Sequence, residues 1–278
     1  FDEASSALSY DIWNIITDDP QKLSQTEFTQ PALLTSSVAI FRLLRENHNI
    51  KPKFLAGHSL GEYSALVAAN AVSFSDAVKQ VSLRGQYMQN AVSVGVGAVS
   101  AIIGLDDAAV IDVCKEAQEK QIVCAVNFNA PGQVVIAGDH QAVERANIIA
   151  KGRGAKKTML LPVSVPVHCE LMKPAAERLA VSLSGIKFQS PTIPVVHNTD
   201  VDVHAHPDDI KSILVEQIYS PVRWSESIQL IHSEGVDTFV EIGPGKVLSG
   251  LSKRIAKGST LYNTANVAAF ENLLSEIP

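Results

Sequence analysis

Cysteine is scarce in this chain. Three occur in 278 residues, Cys114, Cys124 and Cys169, and none falls in a Cys-x-x-Cys spacing. An odd count without paired spacing argues against a disulfide framework and for a reducing compartment, so a cytoplasmic setting is expected. Positive charge is short as well: 23 Lys and Arg stand against 29 Asp and Glu, a formal net charge of −6. That argues against nucleic acid as the main partner, because nucleic-acid binding draws on a basic face. No apolar run reaches membrane-spanning length and no signal-peptide pattern is visible, so no membrane partner is expected. Internal repeats and low-complexity linkers are also missing.

What is present is apolar bulk. The chain is 46% hydrophobic, enough for a sizeable core. Its length suits one large α/β domain or two smaller ones. The first residue is Phe1, and FDEASSALSYDIW already reads as part of a helix. Further sequence upstream is therefore expected.

Residues 29–47 carry apolar side chains at helical spacing, with Thr29 as the expected cap and Pro31 in the first turn. Pro52 ends that pattern. Phe54 to Ala56 reads as a short buried strand and Ser59 to Ala71 as a helix, and a second helix follows with Ser73 or Ser75 at its start. The stretches GAVSAIIGL, DDAAVIDVCKEAQEK, IVCAVNFN, QVVIAGD, HQAVERANIIAKGR and KKTMLLPVSV then read β-α-β-β-α-β. That order fits a ferredoxin-like module. Beyond it, helices are expected in ELMKPAAERLAVSLSGI, DDIKSILVEQIY, SPVRWSESIQLIHSEG (with Pro221 near its start) and KVLSGLSKRIA, and strands in TIPVVHN and DTFVEIGPG. Such alternation implies a mainly parallel sheet with helices on both faces. The expected fold class is α/β. A large subdomain comprises residues 1–95 and 166–278, and the module at residues 96–165 is inserted into it.

One stretch carries chemistry: FLAGHSLGEYSAL, residues 54–66. Strand, Gly-x-Ser-x-Gly and helix in that order make a nucleophile elbow, with Ser59 exposed on a tight turn. The following helix aims its free N–H groups at the site, and Leu60 N–H is the expected oxyanion donor. Read without a mechanism, Ser59 is an ordinary cap serine. A nucleophilic serine needs a base. His58 is adjacent, but neighbouring side chains on a sharp turn diverge. His168 is the better candidate, placed where a strand is expected to end after Pro166 and a helix to begin. His48, His140 and His232 read as surface positions, and His197 at a strand end stays open. The acids Asp112 and Asp139 that precede His168 fall in the inserted module, a departure from the α/β-hydrolase order Ser, Asp, His, and a backbone carbonyl is the alternative partner for its second N–H. Arg84, flanked by apolar residues, suits either a substrate carboxylate or a protein acid. VDVHAHPDD, residues 201–209, reads as a solvated loop rather than a metal site. KGRGAKK, residues 151–157, is a small basic face that suits an acidic partner.

Taken together, GHSLGEYSALVAA, LRGQYMQ, NFNAPGQVVIAG, LPVSVPVHCELMKPAAERL, SPVRWSESI and EIGPGKVLSGL resemble the malonyl-CoA:acyl carrier protein transacylase family of fatty acid synthesis. The likeness covers nearly the whole chain. It implies a hydrolase-like large subdomain with a ferredoxin-like small one inserted. It implies Ser59 as nucleophile, His168 as base, Arg84 on the malonyl carboxylate and His58 bordering the pocket. It also implies that the backbone carbonyl of Gln217 orients His168, and that Asn129 and Gln133 lie near the cleft. Family members carry, ahead of the point where this sequence starts, a strand and a Gly-Gln-Gly motif whose glutamine gives a second oxyanion N–H. The residue before the base is Val167, where relatives often have serine or phenylalanine, a position that bears on extender-unit selectivity.

The implied reaction is ping-pong transfer from malonyl-CoA to the phosphopantetheine thiol of acyl carrier protein, by a monomer, with no metal or redox cofactor. An acyltransferase of polyketide synthesis shares these motifs. A serine thioesterase or esterase would share the elbow but has no need of Arg84. A non-catalytic scaffold has no need of Ser59, His168 and Arg84 together.

Overall fold

The computed structural model describes residues 1–48, 50–93, 95–163 and 165–276. The expected N-terminal helix is two: α1 (Asp2–Leu8) and α2 (Ile12–Asp18). Ser9 breaks them with a φ of 61°, and Asp11 caps α2 by accepting from Asn14 N–H at 3.0 Å. After the single turn α3 (Pro20–Leu23), α4 spans Thr26–Asn47. It begins before Thr29, which is not the cap. The Thr29 hydroxyl instead donates back to the Leu23 and Gln25 carbonyls, a use of threonine that propensity rules hide. Pro31 accordingly sits inside the helix rather than in its first turn.

The strand β1 (Leu55–Ala56) leads through the elbow to α5 (Gly61–Ala68), and α6 (Phe74–Gln89) follows with Ser73 as its cap. Then come β2 (Gly97–Ile103), α7 (Asp107–Gln118), β3 (Val123–Ala130), β4 (Gln133–Asp139), α8 (His140–Gly152) and β5 (Lys157–Leu160). These four strands form one antiparallel sheet in the order β3-β4-β2-β5. The helices α7 and α8 cover it, burying Ile102, Val110, Val113, Val134, Ile136 and Val143. Each such side chain contributes about 1.5–3 kcal/mol when taken from water. The strand expected to run to Val165 stops at Leu160, and Ser164 lies outside the described residues. His168 therefore sits in a loop, not at a strand end.

A 3-10 turn at Glu170–Met172 leads into α9 (Lys173–Ser184), then β6 (Val195–Val196), α10 (Pro207–Gln217) and α11 (Trp224–Ser233). Pro221 lies ahead of α11. The chain there is extended, because Val222 exchanges backbone hydrogen bonds with Val126 and Phe128 of β3. That exchange ties the antiparallel sheet to the rest of the molecule. The last elements are β7 (Thr238–Glu241), α12 (Val247–Ile255), β8 (Thr260–Asn263) and α13 (Val267–Glu276).

The large subdomain is expected to hold a mainly parallel sheet. Parallel pairing is present, but among the described residues it is split into two pairs, β1 with β6 and β7 with β8. An apolar cavity of about 600 Å³, lined by Leu55, Ala56, Trp224, Phe239 and Val240, lies between them. Alternation of strands and helices predicts parallel strands but not which strands are neighbours. The fold class is thus α/β with parallel pairs plus one antiparallel sheet. The largest core gathers α4, α5, α6, α9 and α10 around Leu34, Tyr63, Leu66, Val78, Leu179 and Leu214.

Candidate active site

The elbow follows directly from local sequence. Gly57 must be glycine: a Cβ there would lie 1.9 Å from the Gly61 carbonyl carbon. Gly61 itself has open space around its Cα, so only the first glycine of the motif is sterically required. Ser59 takes a left-handed φ of 51°, and His168 one of 59°. Each such residue costs about 1–3 kcal/mol and persists only where its surroundings hold it.

Those surroundings are visible. Asn198, just beyond β6, accepts from Ser59 N–H at 2.6 Å and donates to the Gly57 carbonyl at 2.8 Å. Because β1 and β6 are parallel neighbours, their carboxyl ends deliver Ser59 and Asn198 to the same place. Gly61, Glu62 and Tyr63 give their N–H groups to the carbonyls of His58, Ser59 and Leu60. Leu60 N–H has no acceptor among the described residues and is free for a developing oxyanion.

Ser59 Oγ lies 2.8 Å from His168 Nε2, and His168 Nδ1 lies 2.7 Å from the Gln217 carbonyl. A carbonyl only accepts, so Nδ1 carries the proton and Nε2 presents a lone pair to the hydroxyl. Burial holds the His168 pKa down to about 3, with the Arg84 charge adding to the effect. The ring is therefore a neutral base at neutral pH.

Arg84, 2% exposed, reaches the same oxygen from α6. Its Nη2 donates to Ser59 Oγ and to Gln217 Oε1, each at 3.0 Å, and its Nη1 donates to Gln30 Oε1 at 2.7 Å. Gly85 lets this happen, because a Cβ there would lie 2.7 Å from Glu27 Cα in the first turn of α4. No carboxylate among the described residues forms an ion pair with Arg84, and its Nε has no partner. Burial lowers the Arg84 pKa, opposed by the nearby Tyr63 and Glu62. A buried cation without an ion-pair partner is costly and suits an incoming anion.

His58 borders the group, its Nε2 2.8 Å from Asn129 Oδ1 and its ring 5.7 Å from that of Trp224. Burial lowers its pKa. Gln133 Oε1 accepts from Arg254 Nη1 at 2.5 Å, and Arg254 also holds the Pro131 carbonyl. Of the remaining histidines, His197 is fully buried against Glu62, and His204 meets Asp200 at 2.6 Å. No group of three or more metal-ligating side chains occurs among the described residues. No helix among them is long and apolar enough to cross a membrane.

Sequence reasoning missed Gln30, Glu62 and Asn198. Glu62 left a usable signal, a carboxylate in the apolar run EYSALVAA. Gln30 and Asn198 left none, since amide side chains are ordinary at helix and loop positions.

Comparison with known proteins shows the family. The family described as "Acyl transferase domain" matches residues 2–268. A malonyl CoA-acyl carrier protein transacylase of Escherichia coli K12 is 54% identical over 256 residues, covering 92% of this chain and 83% of that protein. The enzyme of that name from Bacillus subtilis is 49% identical over 257 residues, covering 92% and 81%. Among solved structures, the malonyl CoA-acyl carrier protein transacylase of Coxiella burnetii superposes with a TM-score of 0.97 at 47% identity, covering 100% of this chain and 88% of that one. A malonyl transacylase solved in complex with its type II polyketide-synthase acyl carrier protein gives 0.97 at 49% identity, covering 99% and 89%. A serine elbow, a carbonyl-oriented histidine and a buried arginine on one oxygen thus sit in a chain that belongs to the malonyl-CoA:acyl carrier protein transacylase family of acyl transferase domains.

Proposed function

We propose that this acyltransferase moves the malonyl group from malonyl-CoA to the phosphopantetheine thiol of acyl carrier protein through malonyl-Ser59. The observation that carries the reading is the convergence on Ser59 Oγ of His168 Nε2 at 2.8 Å and Arg84 Nη2 at 3.0 Å. His168 takes the hydroxyl proton as Oγ attacks the thioester carbon. The oxyanion forms beside Leu60 N–H. The carbon–sulfur bond breaks, CoA leaves with the proton returned from His168, and the acyl-serine remains. The carrier thiol then gives its proton to His168 and attacks the ester, restoring Ser59. The Gln217 carbonyl accepts from Nδ1–H throughout and so stabilises the transient imidazolium, the work an acid does in a hydrolase triad.

Arg84 holds the malonyl carboxylate, and His58 with Asn129 walls the acyl pocket. Gln133, hydrogen-bonded to Arg254, takes no part in this scheme. The scheme needs one copy of the chain, a cytoplasmic supply of malonyl-CoA, and no metal or redox cofactor. In fold terms we read residues 97–160 as a ferredoxin-like unit inserted into a hydrolase-like subdomain. The strand order β3-β4-β2-β5 supports that reading.

The test compares malonyl-CoA and acetyl-CoA as donors to carrier protein. Removing charge-assisted bonds to the carboxylate in Arg84→Ala should lower kcat/KM for malonyl transfer roughly 100- to 1,000-fold. Acetyl transfer should lose far less. An Arg84→Ala enzyme that keeps the parent's preference for malonyl overturns the assignment.

A further inference from the structure

Beneath Ser59, His168 and Arg84 lies a carboxylate that the reaction scheme does not use. Glu62, in the first turn of α5, is fully buried. Its Oε1 accepts from His197 Nδ1 at 2.6 Å. Its Oε2 accepts from Asn198 N–H at 3.0 Å and from Gln217 Nε2 at 2.9 Å. A buried carboxylate is tolerated only when its lone pairs are filled and its charge is balanced. Three donors meet the first need.

The second need points to Arg84, a buried cation whose field acts on the same region. The charge contact of Glu62 within ion-pair distance is His197, at 2.6 Å, a histidine that bears charge only when protonated, and no ion pair joins Glu62 to Arg84 among the described residues. Gln217 stands between them instead. Its Nε2 donates to Glu62 and its Oε1 accepts from Arg84 Nη2 at 3.0 Å. The amide faces this way because a guanidinium only donates, so Oε1 turns to Arg84 and Nε2 is left for Glu62. Gln217 also donates from Nε2 to the Ser59 carbonyl at 3.1 Å, so the same amide touches the elbow.

We propose that Glu62 is a positioning residue that balances Arg84 through the Gln217 carboxamide, holding the guanidinium open toward an acyl carboxylate while its Asn198 arm holds the elbow. The amide bridge does what a direct salt bridge would not. A protein carboxylate bonded to Arg84 would occupy the donors that a substrate carboxylate needs. With the counter-charge one amide away, no protein carboxylate occupies the guanidinium, and its buried Nε has no protein partner. The inference rests on the reading of Arg84 as the carboxylate-binding group.

Three variants, Glu62→Gln, Gln217→Met and Arg84→Ala, test it, assayed with malonyl-CoA and acetyl-CoA as donors after thermal unfolding confirms that each folds. Glu62→Gln should lower kcat/KM for malonyl transfer roughly 10- to 100-fold, the range that slight misplacement of a positioned group costs. The loss for acetyl should be smaller, so the malonyl preference shrinks. Gln217→Met keeps the backbone carbonyl on His168 and the Glu62–Asn198 arm, and should shrink the preference in the same direction. If Glu62→Gln does not fold, Gln217→Met decides. Equal losses for both donors, or an unchanged preference, overturn the proposal and leave Glu62 a structural residue only. Arg84→Ala separates the two failures. An unchanged preference there overturns the reading of Arg84 itself. A lost preference there, with the preference intact in the other two variants, overturns only the role of Glu62.

Discussion

Two buried regions of this chain are built from opposite materials. The unit of β3-β4-β2-β5 with α7 and α8 encloses a mostly apolar interior of valine, isoleucine and alanine. Its strands pair with one another, apart from the bonds between β3 and Val222, and its segments are contiguous from Gly97 to Leu160. The region under Ser59 is polar: Gln30, Glu62, Arg84, His168, Asn198 and Gln217 are all buried and come from six separate segments. The first region uses area removed from water, which is non-directional and tolerant of detail. The second uses hydrogen bonds whose partners must all be in place, since a half-satisfied polar network is worse than none. One region supplies stability and the other supplies geometry.

Substitutions should split along that line. Ile102, fully buried in the small sheet, should cost about 2–5 kcal/mol of stability as Ile102→Ala. Urea unfolding reads that loss, while the ratio of malonyl to acetyl transfer in the folded enzyme stays at the parent's value. A changed ratio would mean that the two regions are coupled.

A smaller effect comes from pH. The His168 pKa, ordinarily 6.5, is held at about 3 in the folded chain. Between those values the unfolded chain binds a proton that the folded chain refuses. The stabilisation from a neutral His168 is therefore complete above pH 6.5 and is lost as pH falls through this window toward 3. Stability of the parent should drop more steeply from pH 6.5 to 5 than that of His168→Gln, measured by urea unfolding. Equal slopes would contradict the buried, neutral base.

How much was legible in the sequence follows the same division. The small sheet was readable almost element by element, because alternation and helical spacing are local signals. Ser59 was readable for the same reason, since Gly57 and the strand-to-helix context are its immediate neighbours. Arg84 could be singled out by its apolar flanks, and the placement of Asp112 and Asp139 in the small module left a carbonyl as an alternative partner for His168. Its identity as Gln217 came from family resemblance, because nothing local ties residue 217 to residue 168. Glu62, Asn198 and Gln30 act across the fold, and their partners lie 54 to 155 residues away. Such pairings have no periodicity. The start of α4 was misplaced because Thr29 bonds backward within the helix rather than capping it. The split of the parallel strands into two pairs escaped because alternation says nothing of adjacency.

Transfer by the proposed route requires Ser59 as the acyl carrier. Intact-mass spectrometry of the chain mixed with malonyl-CoA, with Ser59→Ala alongside, reads this directly. The predicted result is a malonyl adduct on the parent, discharged by holo acyl carrier protein, and no adduct on Ser59→Ala. An adduct that persists on Ser59→Ala, or release of CoA from the parent to water with no adduct and no acyl carrier product, would contradict it.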